Sequence, residues 1–213
     1  MDDLDQILEH RYQDLIAYQN KSYADKFRRT VEKVAAAEAK LGEQRDLSIA
    51  VAKALYKTMA IKDEYEVGRL YTDGRFQKQL EQTFEGKPKI SFYLAPPILS
   101  SKKNPRKIQF GSYMLYAFKL LAKLKGLRGT AFDIFSYSSE RKMELALIAE
   151  LNQTIDTLLE KLNIENRKYA ISAVELVSSV RGYGHVKEKN YQQYKVLLKQ
   201  QLRSYRKALS VGQ

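Results

Sequence analysis

"ELALIAELNQTIDTLLEKL", residues 144–162, places Leu147, Leu151, Ile155, Leu158 and Leu162 at spacings of four, four, three and four. That period builds one apolar stripe on an α-helix and cannot be read as the alternation of a strand. Ser138 stands where an N-cap belongs, since its hydroxyl can accept from a free amide of the first turn. Downstream, Asn163 is placed to cap a further helix. Ala170, Ile171, Ala173, Val174, Val177 and Val180 give that helix a face wide enough for full burial. After "RGYGH", Tyr191, Tyr194, Leu198, Leu202, Tyr205 and Leu209 define a last amphipathic helix.

Upstream the same period recurs. Tyr23, Phe27, Val31 and Val34 precede an alanine-rich stretch that ends near Gly42, so residues 1–45 read as a helical arm or hairpin. Leu47, Val51, Leu55 and Met59 continue at spacing four, and no proline or turn dipeptide interrupts the chain before Tyr71. One long helix is therefore expected to carry "IKDEYEVGRLY", residues 61–71, at its C-terminal end. "TDG" then turns the chain, and Phe76, Leu80 and Phe84 mark a short helix that stops at Gly86. Tyr113, Met114, Phe118, Leu121 and Ala122 mark another, which ends near "KGLRG". Between these two helices the chemistry changes. "KISFYL" and "RKIQF" are β-rich, and all four prolines fall in this window, which argues against helix through it. The expected fold is mainly α, with seven to eight helices around one core and a short irregular β-hairpin near residues 89–110. Residues 46–213 would form the helical domain, cooperative with the N-terminal arm.

Composition limits the chemistry. The chain has 213 residues, 44% of them hydrophobic, and 37 Lys+Arg against 25 Asp+Glu give a formal charge of +12. Such a balance attracts acidic partners, namely phosphates, nucleic acid or an acidic protein surface. Cysteine is absent, which removes thiolate catalysis and any iron–sulfur cluster with cysteine ligands held by this chain. With only His10 and His185, no nitrogen or sulfur ligand set for a metal can be assembled. The opening "MDDLDQILEH" lacks an apolar signal core, and no apolar run nears the ~20 residues of a membrane span, so a cytoplasmic protein is expected.

Two stretches invite a functional reading. In "IKDEYEVGRLY" a helix would set Lys62, Glu66 and Arg69 on one face. Asp63, Glu64 and Glu66 could act as acids or bases if desolvated beside Tyr65. The competing reading is a structural ion-pair network, tested by the pairs Lys62 with Glu66 and Glu66 with Arg69. In "RGYGHVKEKN", residues 181–190, Gly182 and Gly184 separate two helices, and backbone amides near His185 would open the second. Arg181, His185 and Lys187, with Arg128, form a candidate anion cradle, against which stands a simple chain turn. Basic residues also gather at Lys102, Lys103, Arg106 and Lys107, and at Lys119, Lys123, Lys125 and Arg128. With fifteen tyrosines available for stacking, nucleic-acid binding is an alternative.

The order of motifs carries a resemblance. "AYQNKSYADKFRRTVEKVAAAE", "LYKTMAIKDEYEVGRLYTDGRF", "FYLAPPIL", "FGSYMLYAFKLLAKLKGLRGTAFDIFSY", "ERKMELALIAEL" and "VRGYGHVKEKN" resemble the C-terminal helical domain of the fused indolepyruvate ferredoxin oxidoreductases, over nearly the whole chain. Members of that family decarboxylate 2-oxoacids on thiamine diphosphate, pass electrons through iron–sulfur clusters to ferredoxin and transfer the acyl group to coenzyme A. The resemblance implies an accessory domain, not catalytic alone, whose partners are the catalytic domains or subunits and, through basic residues, ferredoxin or coenzyme A. Thiamine diphosphate and the clusters are expected on the rest of the enzyme, because this chain has no cysteine and no recognisable diphosphate motif. Gly68 stands where the family pattern has alanine, which weakens a helix but permits close backbone approach.

Overall fold

The structure, a computed structural model, describes residues 3–86, 88–94 and 108–209. The expected "LAPP" turn and the basic cluster Lys102, Lys103, Arg106 and Lys107 lie outside these residues. The chain is mainly helical with one small antiparallel hairpin, as its periodicity dictates. Its elements are α1 (Leu4–Tyr18), α2 (Lys21–Ala39), α3 (Asp46–Met59), α4 (Glu64–Thr72), α5 (Arg75–Thr83), β1 (Phe92–Leu94), β2 (Ile108–Phe110), α6 (Met114–Lys123), α7 (Ser139–Leu159), α8 (Arg167–Glu175) and α9 (Gly184–Leu209). Short 3-10 turns extend α6 through Leu124–Leu127 and α8 through Leu176–Ser179.

Contacts divide the chain into two compact units, Met1–Ile61 with Asp133–Gln213, and Lys62–Phe132. The first contains α1, α2, α3, α7, α8 and α9 around one apolar core. Leu147, Leu151, Ile155 and Leu158, the stripe of α7, are at most 6% exposed, and each contributes about 2 kcal/mol by burial. Phe27, Val31 and Val34 from α2, and Leu47, Val51 and Leu55 from α3, meet them in that cluster. Ala170, Ala173, Val174 and Val177 are also buried there, as the width of their face requires. The boundary expected at residue 45 does not separate parts of the structure, because α1 and α2 supply the same core as α3.

Helix starts in this unit follow local capping chemistry. Asn20 Oδ1 accepts from Tyr23 N at 2.9 Å, and Ser138 Oγ accepts from Arg141 N at 3.1 Å. Asn163 and Asn166 each accept the other's backbone amide at 2.9 Å, which forms the turn before α8. For α3 the cap comes from elsewhere. Arg45 precedes it without a side-chain capping bond, and the carboxylate of Glu38, fully buried, accepts from Leu47 N at 2.8 Å, Ser48 N at 2.9 Å and Ser48 Oγ at 2.6 Å. A negative charge thus sits on the positive end of α3 and fills donors that would otherwise be orphaned.

The second unit has its own core, so the expectation of one core is corrected. Tyr71 stacks on Phe118 with ring centroids 5.1 Å apart, and Phe92 meets both rings edge-on at 5.2 Å. β1 and β2 pair antiparallel with Phe92 opposite Phe110 and Leu94 opposite Ile108. Helices α4 and α6 pack closely, and Gly68 explains how. A Cβ at that position would lie 2.7 Å from the Phe118 carbonyl oxygen and 3.0 Å from Leu121 Cβ.

The long helix expected over residues 47–71 is two helices, which raises the count to nine among the described residues. Asp63 is responsible. Its backbone is extended, and its Oδ1 accepts from Glu66 N at 2.7 Å, so it ends the approach from α3 and starts α4. A side-chain cap competes successfully with helix continuation at an aspartate.

Candidate functional site

Buried charge concentrates in the second unit, on the stretch "IKDEYEVGRLY", where Asp63 and Glu66 are both buried. Asp63 is more than a cap. Its side chain is fully buried, and Arg128, 9% exposed, reaches it with both arms of the fork, Nε to Oδ2 at 2.6 Å and Nη2 to Oδ1 at 2.8 Å. The guanidinium also lies 5.4 Å from the ring centroid of Tyr65, which is itself buried. One helical turn on, Glu66 takes a second bidentate pair from Arg69, at 2.8 and 2.6 Å. Arg69 continues to Asp73 at 3.3 Å, and Asp73 receives both the backbone amide and the Nε of Arg75. Lys125 completes the set. Partial burial, followed by the positive charges of Arg69 and Arg128, lowers its pKa below the ordinary lysine value, while Glu66 opposes that shift.

Each carboxylate of this network faces a guanidinium with good geometry. Bidentate pairs of this kind are strong and directional, and they occupy the lone pairs that a general base would need. Asp63 is therefore built to hold the start of α4 to the turn after α6, Glu66 to pair along α4 with Arg69, and the acid/base reading of these residues loses its support. Glu64 is half-buried in the first turn of α4. Lys62 does not join Glu66. Because the helix starts at Glu64, Lys62 lies outside it and exposed, and Glu66 bonds Arg69 instead. Glu66 with Arg69 is the expected pair that forms.

The anion cradle expected at residues 181–190 is only partly assembled. α9 does begin at Gly184, and Gly182, with φ of 101°, makes the turn before it. Arg181 and His185 are exposed there, with Asn190 Nδ2 donating to Arg181 O at 2.8 Å. Lys187, however, is bonded to Glu144 and lies 3.8 Å from Glu140, while Arg141 flanks the same Glu144 at 3.6 Å. Arg128, the fourth candidate, is spent on Asp63 in the other unit. Sequence reasoning missed Lys57, which belongs to the same neighbourhood. Its ammonium donates to Ser178 O at 2.7 Å, and partial burial, then Arg181 and Lys187, lowers its pKa. The cradle thus has positive potential but few uncommitted donors.

The helix break at Asp63 had one readable signal. "DEYE" has the spacing of a capping box, an aspartate three residues before a glutamate, and marks a helix start at Asp63. Arg128 as its partner, 65 residues away, had no local signal. Among the described residues no cluster of three His, Asp or Glu side chains could hold a metal ion. No described helix is long and apolar enough to cross a membrane.

These features define a mainly helical module whose densest buried charge is an internal clasp. The chain belongs to the family of unknown function DUF6537, whose pattern matches residues 4–200. No curated protein and no solved structure matches it.

Proposed function

We propose that this chain is an accessory domain of a thiamine diphosphate-dependent 2-oxoacid ferredoxin oxidoreductase of the indolepyruvate type, cytoplasmic and without catalysis of its own. It supports assembly of the enzyme and the approach of ferredoxin or coenzyme A. The observation that carries the reading is the ordered series of motifs, together with what joins two of them. Asp63 of "KDEYEVGRLYT" grips Arg128 of "LKGLRGT", so two of the stretches that carry the resemblance form a single device. That device binds the fold to itself, which suits a scaffold better than a reaction centre. The donor set agrees with a division of labour. Without a cysteine the chain cannot ligate the clusters, and these fall to the catalytic part of the enzyme along with thiamine diphosphate. A surface carrying +12 favours encounter with acidic ferredoxin and with the phosphates of coenzyme A.

The test is purification from the native host through an affinity tag on this chain. The complex is expected to absorb near 400 nm, to release thiamine diphosphate on denaturation and to reduce a viologen dye with indolepyruvate. A complex free of both cofactors, or none at all, refutes the proposal. A second reading, an anionic-ligand site taking part in acyl transfer, has the cations Lys57 and Arg181 beside the α9 N-terminus in its favour. Calorimetric titration with coenzyme A tests it, and absence of heat at millimolar ligand ends it. Nucleic-acid binding draws less support, since Tyr12, Tyr18, Tyr65, Tyr191, Tyr194 and Tyr205 are buried and offer no ring to a base.

A further inference from the structure

Helix α6 is apolar on both sides. Its inner face, centred on Phe118, is buried, and Leu121 and Ala122 pack against Gly68 of α4. Its outer face carries Tyr113, Tyr116 and Leu120, exposed by 61, 76 and 60%, and Leu124 follows in the 3-10 turn at 37%. The spacing of three, four and four places these four side chains in one row. Lys119 and Lys123 lie together along one edge of that row, with the Lys119 ammonium 6.0 Å from the Tyr116 ring. From Gly111 to Phe132 the chain has no aspartate or glutamate. A helix that is apolar all round belongs in a core, and one left with an apolar outer row is completed by something else.

We propose that the outer face of α6 is a docking surface for a separate protein whose contact patch is apolar at its centre and carries carboxylates opposite Lys119 and Lys123. Tyrosine and leucine flanked by charge is the make-up of a protein interface, with an apolar centre and a charged rim that sets register and on-rate. An anionic membrane fits less well, because lipid-binding segments gather about four to eight basic residues and this row has two. A second copy brings no carboxylate from this helix to meet the lysines. The inference does not require the oxidoreductase reading.

The test is photo-crosslinking in the native host, with p-benzoyl-phenylalanine in place of Tyr116 or Leu120 and, as control, of the exposed Val196 on α9. The expected result is a crosslink from both α6 positions, and not from the control, to one identified protein at a segment bearing Asp or Glu. Yield should fall by about tenfold or more in the Lys119→Glu/Lys123→Glu variant, and likewise in Leu120→Ser when the crosslinker is at position 116. The melting temperature should be unchanged in both, since the replaced side chains are exposed. No specific crosslink, a crosslink to lipid, nucleic acid, a second copy or the same polypeptide, or a yield indifferent to charge reversal overturns the proposal. A partner that is no oxidoreductase component would keep the docking surface and count against the accessory-domain reading. A thiamine-containing complex without this crosslink would do the reverse.

Discussion

Replacing Arg128 by methionine should be the most damaging single change to the second unit. The variant removes two charge-assisted bonds, at 2.6 and 2.8 Å, from Asp63, whose side chain has no exposed surface and whose Oδ1 also accepts from the Glu66 amide. Breaking a buried pair from one side costs about 3–5 kcal/mol, because the surviving charge remains desolvated. For a chain of this size that corresponds to a fall in melting temperature of about 6–20 °C if unfolding is cooperative. If the second unit opens alone, the same energy appears as lost hydrogen-exchange protection over residues 64–72. Asp63→Asn keeps an oxygen for the cap and loses the charge, so its cost should be smaller. In a double-mutant cycle by urea unfolding, the combined variant should recover about 2 kcal/mol or more relative to the sum. Additive losses, or single variants within about 0.5 kcal/mol of the parent, would refute the clasp.

Gly68→Ala should destabilise by about 1–3 kcal/mol, although alanine favours a helix by about 1 kcal/mol, because the added methyl meets the Phe118 carbonyl at 2.7 Å. A stabilised variant in thermal melts would show that α4 and α6 are not held in close approach. Glu38→Ala should cost about 2–4 kcal/mol in chemical denaturation, since three donors at the start of α3 lose their acceptor. An unaffected midpoint would deny the cap its role. In alkaline titration followed at 295 nm, Tyr194 and Tyr205 should ionise near pH 12. Burial first, then Glu150 beside Tyr194 and Glu160 beside Tyr205, pushes each phenol up to about 12, with Asn166 partly offsetting the rise at Tyr205. A folded pKa above the unfolded one means that their stabilising contribution is intact below about pH 10 and disappears as pH climbs towards 12. Ionisation of every tyrosine near pH 10 in a chain that keeps its helical circular dichroism would contradict their burial.

The helices of the first unit were legible because their information is local. The row Leu147, Leu151, Ile155 and Leu158 needs only a period, and Ser138 needs only the amide three residues on. What failed to show was decided by distant partners. Glu38 reads as a surface residue in an alanine-rich helix, yet it caps α3, and nothing short of tertiary structure brings it to Leu47 and Ser48. The unbroken periodicity from Leu47 to Tyr71 concealed the break at Asp63, where a cap reinforced by Arg128 outweighs continuation of the helix. Lys62 consequently lies off the helix face that the periodicity suggests, and Arg128, a candidate for the anion cradle, commits its charge to Asp63. The ion pair between Glu66 and Arg69, three residues apart, was visible in the sequence because it depends on helix geometry alone.

The Asp63–Arg128 contact also has a topological meaning. The second unit starts at Lys62 and finishes at Phe132, so the knot of charge lies almost at both of its chain ends and draws them together like the drawstring of a bag. A segment closed at its neck can be lengthened or shortened within its loops at an entropic cost that grows only slowly with the number of residues added. The same neck makes residues 62–132 a natural cassette, one that an engineer could lift out and graft onto another host by joining two ends that are already neighbours.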